Sequence, residues 1–161
     1  MLIISDIGGT LFNNEHRAEH IPADKSHSDN WRKFNSLHIY DEPIRYRIQF
    51  LQLLAMMPGV EVVYLTGRSC EFYDETKAAL RLAGCPNGRL VMRAEGDRRS
   101  GAEVKMSLIG DIVGDKHFAH VDDDLAACHA IAAAFPNAHI IKVPSQDCAY
   151  LAHARELELM A

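Results

Sequence analysis

Asp6, Thr66 and the pair Asp122-Asp123 each directly follow a short apolar run. In a parallel sheet, residues just past the carboxyl ends of the strands face one crevice, and ligands bind there. Carboxylates from two strand ends would converge in it, and oxygen ligands of that kind suit Mg²⁺ together with waters and a substrate phosphate. Asp6 is followed by Gly8, Gly9 and Thr10, so the backbone can turn tightly and bring N–H groups toward an anion. A hydroxyl at Thr66 and an ammonium at Lys105 could hold phosphate oxygens and offset their charge. Each residue also has a plainer use. An Asp after a strand is commonly a helix cap or a turn residue, Asp122-Asp123-Asp124 could open the next helix, Thr66-Gly67 could be a turn, and Lys105 could be a solvated helix residue. What selects the site reading is that all four features fall in order at one edge of one sheet.

The elements that must position these residues are legible as alternating apolar runs and amphipathic stretches. Strands are expected at 2–6, 60–65, 90–92, 118–121 and 138–143, and helices at 44–57, 70–83, 102–113, 125–135 and 147–159. Pro43 opens the first helix and Pro58-Gly59 stops it; Gly84 and Pro136-Asn137 stop two others. Strands alternating with helices imply βαβ units, right-handed crossovers and a parallel sheet of about five strands. The 161 residues therefore form a single α/β domain, three-layered and Rossmann-like. Residues 13–42 break the alternation; they are polar and irregular, and an insert of that length after the first strand is expected to be a flap over the site.

The quoted residues carry a resemblance. Asp6-Ile7-Gly8-Gly9-Thr10-Leu11, Leu65-Thr66-Gly67-Arg68, Lys105 and Val121-Asp122-Asp123 resemble, in that order, the four motifs of the haloacid dehalogenase superfamily of phosphohydrolases. More narrowly, the chain resembles the phosphatase domain of bacteriophage polynucleotide kinases and its stand-alone phage and bacterial relatives. That narrower likeness rests on His16-Arg17, Trp31-Arg32-Lys33-Phe34, Asp41-Glu42-Pro43, Leu90-Val91-Met92-Arg93 and Gly96-Asp97-Arg98. It covers residues 1 to about 144. The resemblance implies that Asp6 is a nucleophile forming an aspartyl-phosphate. It implies that Asp6, the backbone carbonyl of residue 8 and Asp122 or Asp123 hold Mg²⁺, and that Thr66 and Lys105 steady the phosphate. Gly9, Thr10, Gly67, Arg17, Arg68, Arg93, Arg98 and Trp31 are then expected around the substrate, the arginines because their fork matches phosphate.

One position departs from the family pattern. Members usually have Asp-x-Asp in the first motif, and here the second Asp is Gly8. That carboxylate normally gives a proton to the leaving oxygen and takes one from the attacking water, help worth typically 10²–10⁴-fold. Three readings are open: a substitution introduced to inactivate, a natural variant with another acid or a leaving group that needs no proton, and a binding protein without turnover. The matching functions are a Mg²⁺-dependent phosphomonoesterase acting on nucleotides or on the 3′-phosphate of nucleic acid ends, and a non-catalytic nucleotide- or phosphate-binding protein.

Charge narrows the ligand. Of the formal net charge of -5, residues 111–161 carry the whole excess, with 3 basic against 8 acidic side chains. An acidic chain does not suit long duplexes, which need clustered Lys and Arg. Residues 81–105 hold six basic against three acidic side chains, a footprint for a phosphorylated small molecule or a nucleic acid end. Trp31 and Phe34 stand three apart, so on a helix they share a face, either stacking on a base or anchoring the insert. No apolar run reaches the roughly 20 residues that span a bilayer, and no signal-like segment opens the sequence. A cytoplasmic location is expected, with Cys70, Cys85, Cys128 and Cys148 as free thiols. His16 and His20, four apart, are expected to be solvated or hydrogen-bonded rather than ligating, and a homodimer is one open oligomeric state.

Overall fold

Two consecutive isoleucines, Ile3 and Ile4, are both fully buried but belong to different cores. A strand sends successive side chains to opposite faces, so a strand apolar at every position must be covered on both sides. A computed structural model, describing residues 1–24 and 28–144, shows that arrangement. In chain order its elements are β1 (Leu2–Ser5), β2 (Phe12–Asn13), α1 (Arg32–Ser36), β3 (Glu42–Pro43), α2 (Arg45–Ala55) and β4 (Glu61–Ser69), then α3 (Tyr73–Leu82), β5 (Arg89–Arg93), α4 (Gly101–Val113), β6 (Phe118–Asp122), α5 (Leu125–Ala134) and β7 (Ala138–Lys142). Five of the strands form one sheet in the order β5-β4-β1-β6-β7, every pairing parallel.

The chain steps from β1 to β4 and β5 in one direction, then crosses back to β6 and β7. Right-handed crossovers therefore put α2 and α3 on one face and α4 and α5 on the other. The packing agrees. Ile48 and Leu51 of α2 and Leu80 of α3 join Ile3, Val62 and Tyr64 in one cluster. Ile109 and Val113 of α4 and Ile131 of α5 join Ile4, Val63 and Leu65 in the other. Each fully buried aliphatic chain of this kind contributes roughly 1.5–3 kcal/mol. The expected three-layer α/β architecture and its five-stranded parallel sheet are therefore present. The reversal of direction at β1 opens a crevice at the carboxyl ends of β1, β4 and β6, where Asp6, Thr66 and Asp122 stand.

Local chemistry sets the ends of the helices. Ser100 and Glu103 form a capping box at the start of α4, with Ser100 N donating to Glu103 Oε2 at 2.8 Å. Asp124 caps α5, its Oδ1 accepting from Ala126 N at 2.9 Å. The Asp triplet thus divides, its third member serving the helix as the plainer reading allowed. β4 runs past the expected Leu65 to Ser69, with a shift in its register against β5 between Thr66 and Ser69.

The segment 13–42 is not irregular. Its described residues form 3-10 turns at Glu15–His20, Ser28–Trp31 and Leu37–Tyr40 around α1, and its two ends are joined by the antiparallel pair β2–β3. The polar composition hid this order because the turns are short and are held from within by charged side chains rather than by an apolar stripe. Cys70, Cys85 and Cys128 are free thiols. The expected helix over 147–159 and Cys148 lie outside the described residues. Among the described residues no helix is long and apolar enough to cross a membrane.

Candidate active site at the carboxyl ends of the sheet

Asp6 leaves β1 with its N–H donating to Val121 O at 2.9 Å, which fixes it beside the end of β6. The loop that follows turns at Gly9, which has φ 83°, a value that favours glycine. A Cβ at Gly9 would also overlap the Asp123 carboxylate. Thr10 then reaches across the crevice: its hydroxyl donates to Asp123 Oδ1 at 2.9 Å and accepts from Asp123 N at 3.0 Å. Behind the loop, Arg47 of α2 donates to the carbonyls of Gly9 at 2.7 Å and Thr10 at 3.1 Å, and to that of Pro144 at 2.6 Å. The N–H groups of Leu11 and Phe12 both go to the carbonyl of Ile7. Among these bonds the Gly8 carbonyl accepts none.

Lys105 rises from α4 into the same place. Its ammonium lies 2.9 Å from Asp6 Oδ1 and 2.6 Å from Asp122 Oδ2. Asp122 also meets His120 Nε2 at 3.0 Å and accepts from Asp124 N at 2.9 Å. Asp6, Asp122 and Asp123 bring carboxylate oxygens within 4.8 Å of one another. Three ionised carboxylates against one ammonium leave two negative charges in a buried site. Burial is the main reason Asp6 is pushed up to about 7; Lys105 pulls it down, and Asp122 and Asp123 push it up. Burial and Asp122 raise Asp123 as well. Burial works against the Asp122 carboxylate, yet Lys105 and His120 hold it at about 2. Burial likewise opposes the Lys105 ammonium, but Asp6 and Asp122 outweigh it and raise its pKa. An all-oxygen donor set with two unbalanced charges fits a hard divalent cation, so this cluster can hold one.

The site opens on a cleft of about 1200 Å³ that is also lined by Asn14, Arg68, Arg99 and Trp31. Thr66 is buried at its edge, its Oγ1 accepting from Arg68 N at 3.3 Å. The carbonyl of Gly67 accepts from Arg93 Nε at 2.8 Å, and Arg93 also donates to the carbonyls of Asp97 and Arg99. Arg93 thus ties the end of β4 to the loop before α4. Arg98 is exposed, 4.0 Å from Asp29. Its neighbour Arg99, rather than Arg98, lines the cleft. Arg17 is only 1% exposed and grips Asp41 with two bonds, Nε to Oδ1 at 2.7 Å and Nη2 to Oδ2 at 2.6 Å. It also donates to the Phe34 carbonyl at 2.9 Å and lies over the Phe34 ring. Arg68 stands 3.8 Å from the same Asp41 and donates to Thr76 at 2.9 Å.

Trp31 and Phe34 pack edge to face at 5.5 Å. Phe34 anchors the insert under Arg17, and both rings line the cleft. His16 bonds Asp41 at 2.9 Å, and His20 lies 3.6 Å from Glu19. Neither belongs to the metal-competent cluster of described residues. The expected set Asp6, Thr66, Lys105, Asp122 and Asp123 is thus brought together. Arg47 and His120 were not anticipated: an Arg inside an amphipathic helix reads as a solvated face, and a His inside a buried strand reads as core. The i, i+2 alternation of His120 and Asp122 was the available signal.

No family model matches the chain, and no curated protein matches it. Two solved structures share its fold. A chain in the structure of the Pnkp1/Rnl/Hen1 RNA repair complex is 20% identical, with a TM-score of 0.73 over 91% of this chain and 43% of that one. A chain in another structure of the Pnkp1/Rnl/Hen1 complex is also 20% identical, with a TM-score of 0.70 over 91% of this chain and 46% of that one. This chain therefore spans less than half the length of the chains it resembles.

Proposed function

We propose that this chain is a phosphotransferase-type hydrolase of the haloacid dehalogenase kind, acting on nucleotides or on the 3′-phosphate of nucleic acid ends. The observation that carries the reading is the meeting of Asp6, Lys105, Asp122 and Asp123 at the carboxyl ends of β1 and β6. Asp6 is the nucleophile, and its carboxylate oxygen attacks phosphorus to form an aspartyl-phosphate. Lys105 holds Asp6 in its attacking direction and offsets charge on the phosphoryl oxygens. Thr66 and the N–H groups of the Gly8–Thr10 loop, other than that of Gly9, which donates to the Phe12 carbonyl at 2.8 Å, hydrogen-bond those oxygens. Mg²⁺, held by Asp6, Asp122 or Asp123 and the Gly8 carbonyl, would supply neutralisation of the charge on the transferring group. The fold shared with a chain of an RNA repair complex supports a nucleic acid end as one substrate class. The insert over 13–42 acts as the flap that selects among them.

Gly8 has an ordinary backbone conformation, and a Cβ there would meet only van der Waals neighbours, Arg17 Nη2 at 3.5 Å and Asn14 Nδ2 at 3.6 Å. Gly8→Asp is therefore expected to fold and to raise Mg²⁺-dependent hydrolysis of alkyl phosphomonoesters by about two orders of magnitude or more. Phosphate release from nucleoside 3′-monophosphates and 3′-phosphorylated oligonucleotides, with and without EDTA, measures this. A restored protein that binds nucleotide yet releases no phosphate makes the chain a non-catalytic phosphate-binding protein, the second reading that Gly8 itself favours.

A further inference from the structure

Among the described residues, the atoms within 4 Å of the space left by Gly8 are hydrogen-bond donors and not acids. Arg17 Nη2 and Asn14 Nδ2 are the nearest atoms to the point where a side chain would begin. Both residues line the cleft together with Asp6 and Gly8. Arg17 carries five N–H groups and spends three, two on Asp41 and one on Phe34. The Asn14 side chain makes no capping bond to the turn it precedes. Behind them two buried guanidinium groups, Arg17 and Arg68, share the single carboxylate of Asp41. Arg17, Arg68 and Asp41 together carry one net positive charge, with Glu15 also lining the cleft beside Asn14, whereas the cluster around Lys105 has more carboxylates than cations.

Resting on the aspartyl-phosphate reading, we infer that position 8 is a subsite for an anionic leaving group, so that the bond this chain cleaves best is a phosphoric anhydride. The class comprises phosphoanhydrides, which release a phosphate, and acyl phosphates, which release a carboxylate. An alkoxide must be protonated as it departs, and neither glycine, an amide nor a guanidinium provides a proton near neutral pH. What these groups do provide is hydrogen bonds and positive charge, which stabilise an oxyanion. In the first step an Asp6 oxygen bonds to phosphorus while the bond from phosphorus to the leaving oxygen breaks. The electron pair departs with that oxygen, which needs no proton and is received by Arg17 and Asn14. In the second step water adds to phosphorus, the aspartyl oxygen is released as carboxylate, and both hydrogens of the water leave with inorganic phosphate.

The test compares acetyl phosphate, ADP, phenyl phosphate and adenosine 3′-monophosphate on the chain as it stands, on Gly8→Asp and on Asn14→Ala. The unchanged chain is expected to show kcat/KM at least about 100-fold higher on an anhydride than on the 3′-monophosphate, with phenyl phosphate between. Gly8→Asp closes that gap by raising only the 3′-monophosphate and, to a lesser degree, phenyl phosphate. Asn14→Ala, which circular dichroism should show folded, lowers turnover of the anhydride about ten-fold and that of phenyl phosphate much less. Activity on acetyl phosphate alone or on ADP alone supports the inference and names the leaving group. Equal rates on anhydride and alkyl ester, or an equal gain on both with Gly8→Asp, overturn it while leaving the hydrolase reading standing. Folded protein that is silent on all four substrates in every form overturns the hydrolase reading beneath it.

Discussion

Lys105 sits among the carboxylates of buried Asp6 and Asp122 and half-buried Asp123, touching the first two directly. Replacing it by Met keeps the length of the side chain and leaves two carboxylates without their partner. Breaking a buried pair from one side typically costs 3–5 kcal/mol. Lys105→Met is therefore expected to lose stability of about that size in urea denaturation without added metal. Millimolar Mg²⁺ should return more stability to the variant than to the unchanged chain, because a divalent cation then offsets all three carboxylates. An equal Mg²⁺ effect on both proteins would show that the cluster is not the cation site. Asp6, Thr66 and Asp122 were legible in the sequence because charged or hydroxylic residues stand out directly after buried apolar runs, whereas Lys105, inside α4, was legible only by its place in the order of the motifs. Arg17 was legible as a cation but not by its contacts. Its partner Asp41 lies 24 positions away across the insert, a distance that no periodicity reports.

At the scale of elements, α2 does two jobs. Ile48 and Leu51 pack on the sheet, while Arg47, just before them, turns to the loop after β1. That guanidinium is buried, and its Nε has no hydrogen-bond partner among the described residues. Its position is therefore dictated by the Gly9, Thr10 and Pro144 carbonyls. Hydrogen bonds to a charged group contribute about 1.5–3 kcal/mol each. Arg47→Met is expected to cost at least about 2 kcal/mol and to speed hydrogen exchange at the amides of Gly9, Leu11 and Phe12, while amides in β4 and β5 exchange as before. Uniform acceleration across the sheet would mean that Arg47 stabilises the fold as a whole and not the loop. The strands and the paired helices were readable from their periods of two and 3.6. The turns between Glu15 and Tyr40 were not, since turns of four to six residues have no room for a repeat and draw their stability from Arg17, Asp41 and Phe34.

For the whole molecule, the insert and the body meet at a histidine. His38 is buried, its Nδ1 2.7 Å from the Asn35 carbonyl and its ring edge to face with Phe72 at 5.4 Å. Its Nε2 has no partner among the described residues. Burial and the neighbouring Arg68 lower its pKa to about 4, with Arg17 adding to them and the Asn35 carbonyl and Asp41 opposing. The folded protein therefore favours the neutral ring. The stability this contributes is fully present above the ordinary value of 6.5 and is lost as pH falls from there toward 4. Unfolding free energies from urea titrations at pH 7.5 and pH 4.5 should differ by on the order of 2 kcal/mol more in the unchanged chain than in His38→Gln. Identical acid dependence in the two proteins would remove His38 from the account. Charge at this scale also needs correcting. The excess of acidic residues after position 110 includes Asp122 and Asp123 inside the cation-competent cluster and Asp124 as a helix cap. It therefore does not oppose an anionic ligand in a cleft that Arg68 and Arg99 also line.

The two-residue ladder that pairs Phe12 with Pro43 and Asn13 with Glu42 begins two positions after Thr10. The insert therefore has no free hinge of its own. It springs from the same short stretch of chain that carries Asp6, and the carbonyl of Leu11 is tied to Ile44 N at 2.8 Å. Mechanically the insert is a lever whose fulcrum lies against Asp6, the proposed nucleophile. Lengthening or exchanging its tip would leave the body of the sheet untouched, whereas any change in the tilt of its base is transmitted to Asp6. Under the proposed function such a layout leaves the outer turns free to vary with the ligand while the base stays fixed. Recognition can drift in this molecule only as far as the ladder allows the chemistry to stay in line.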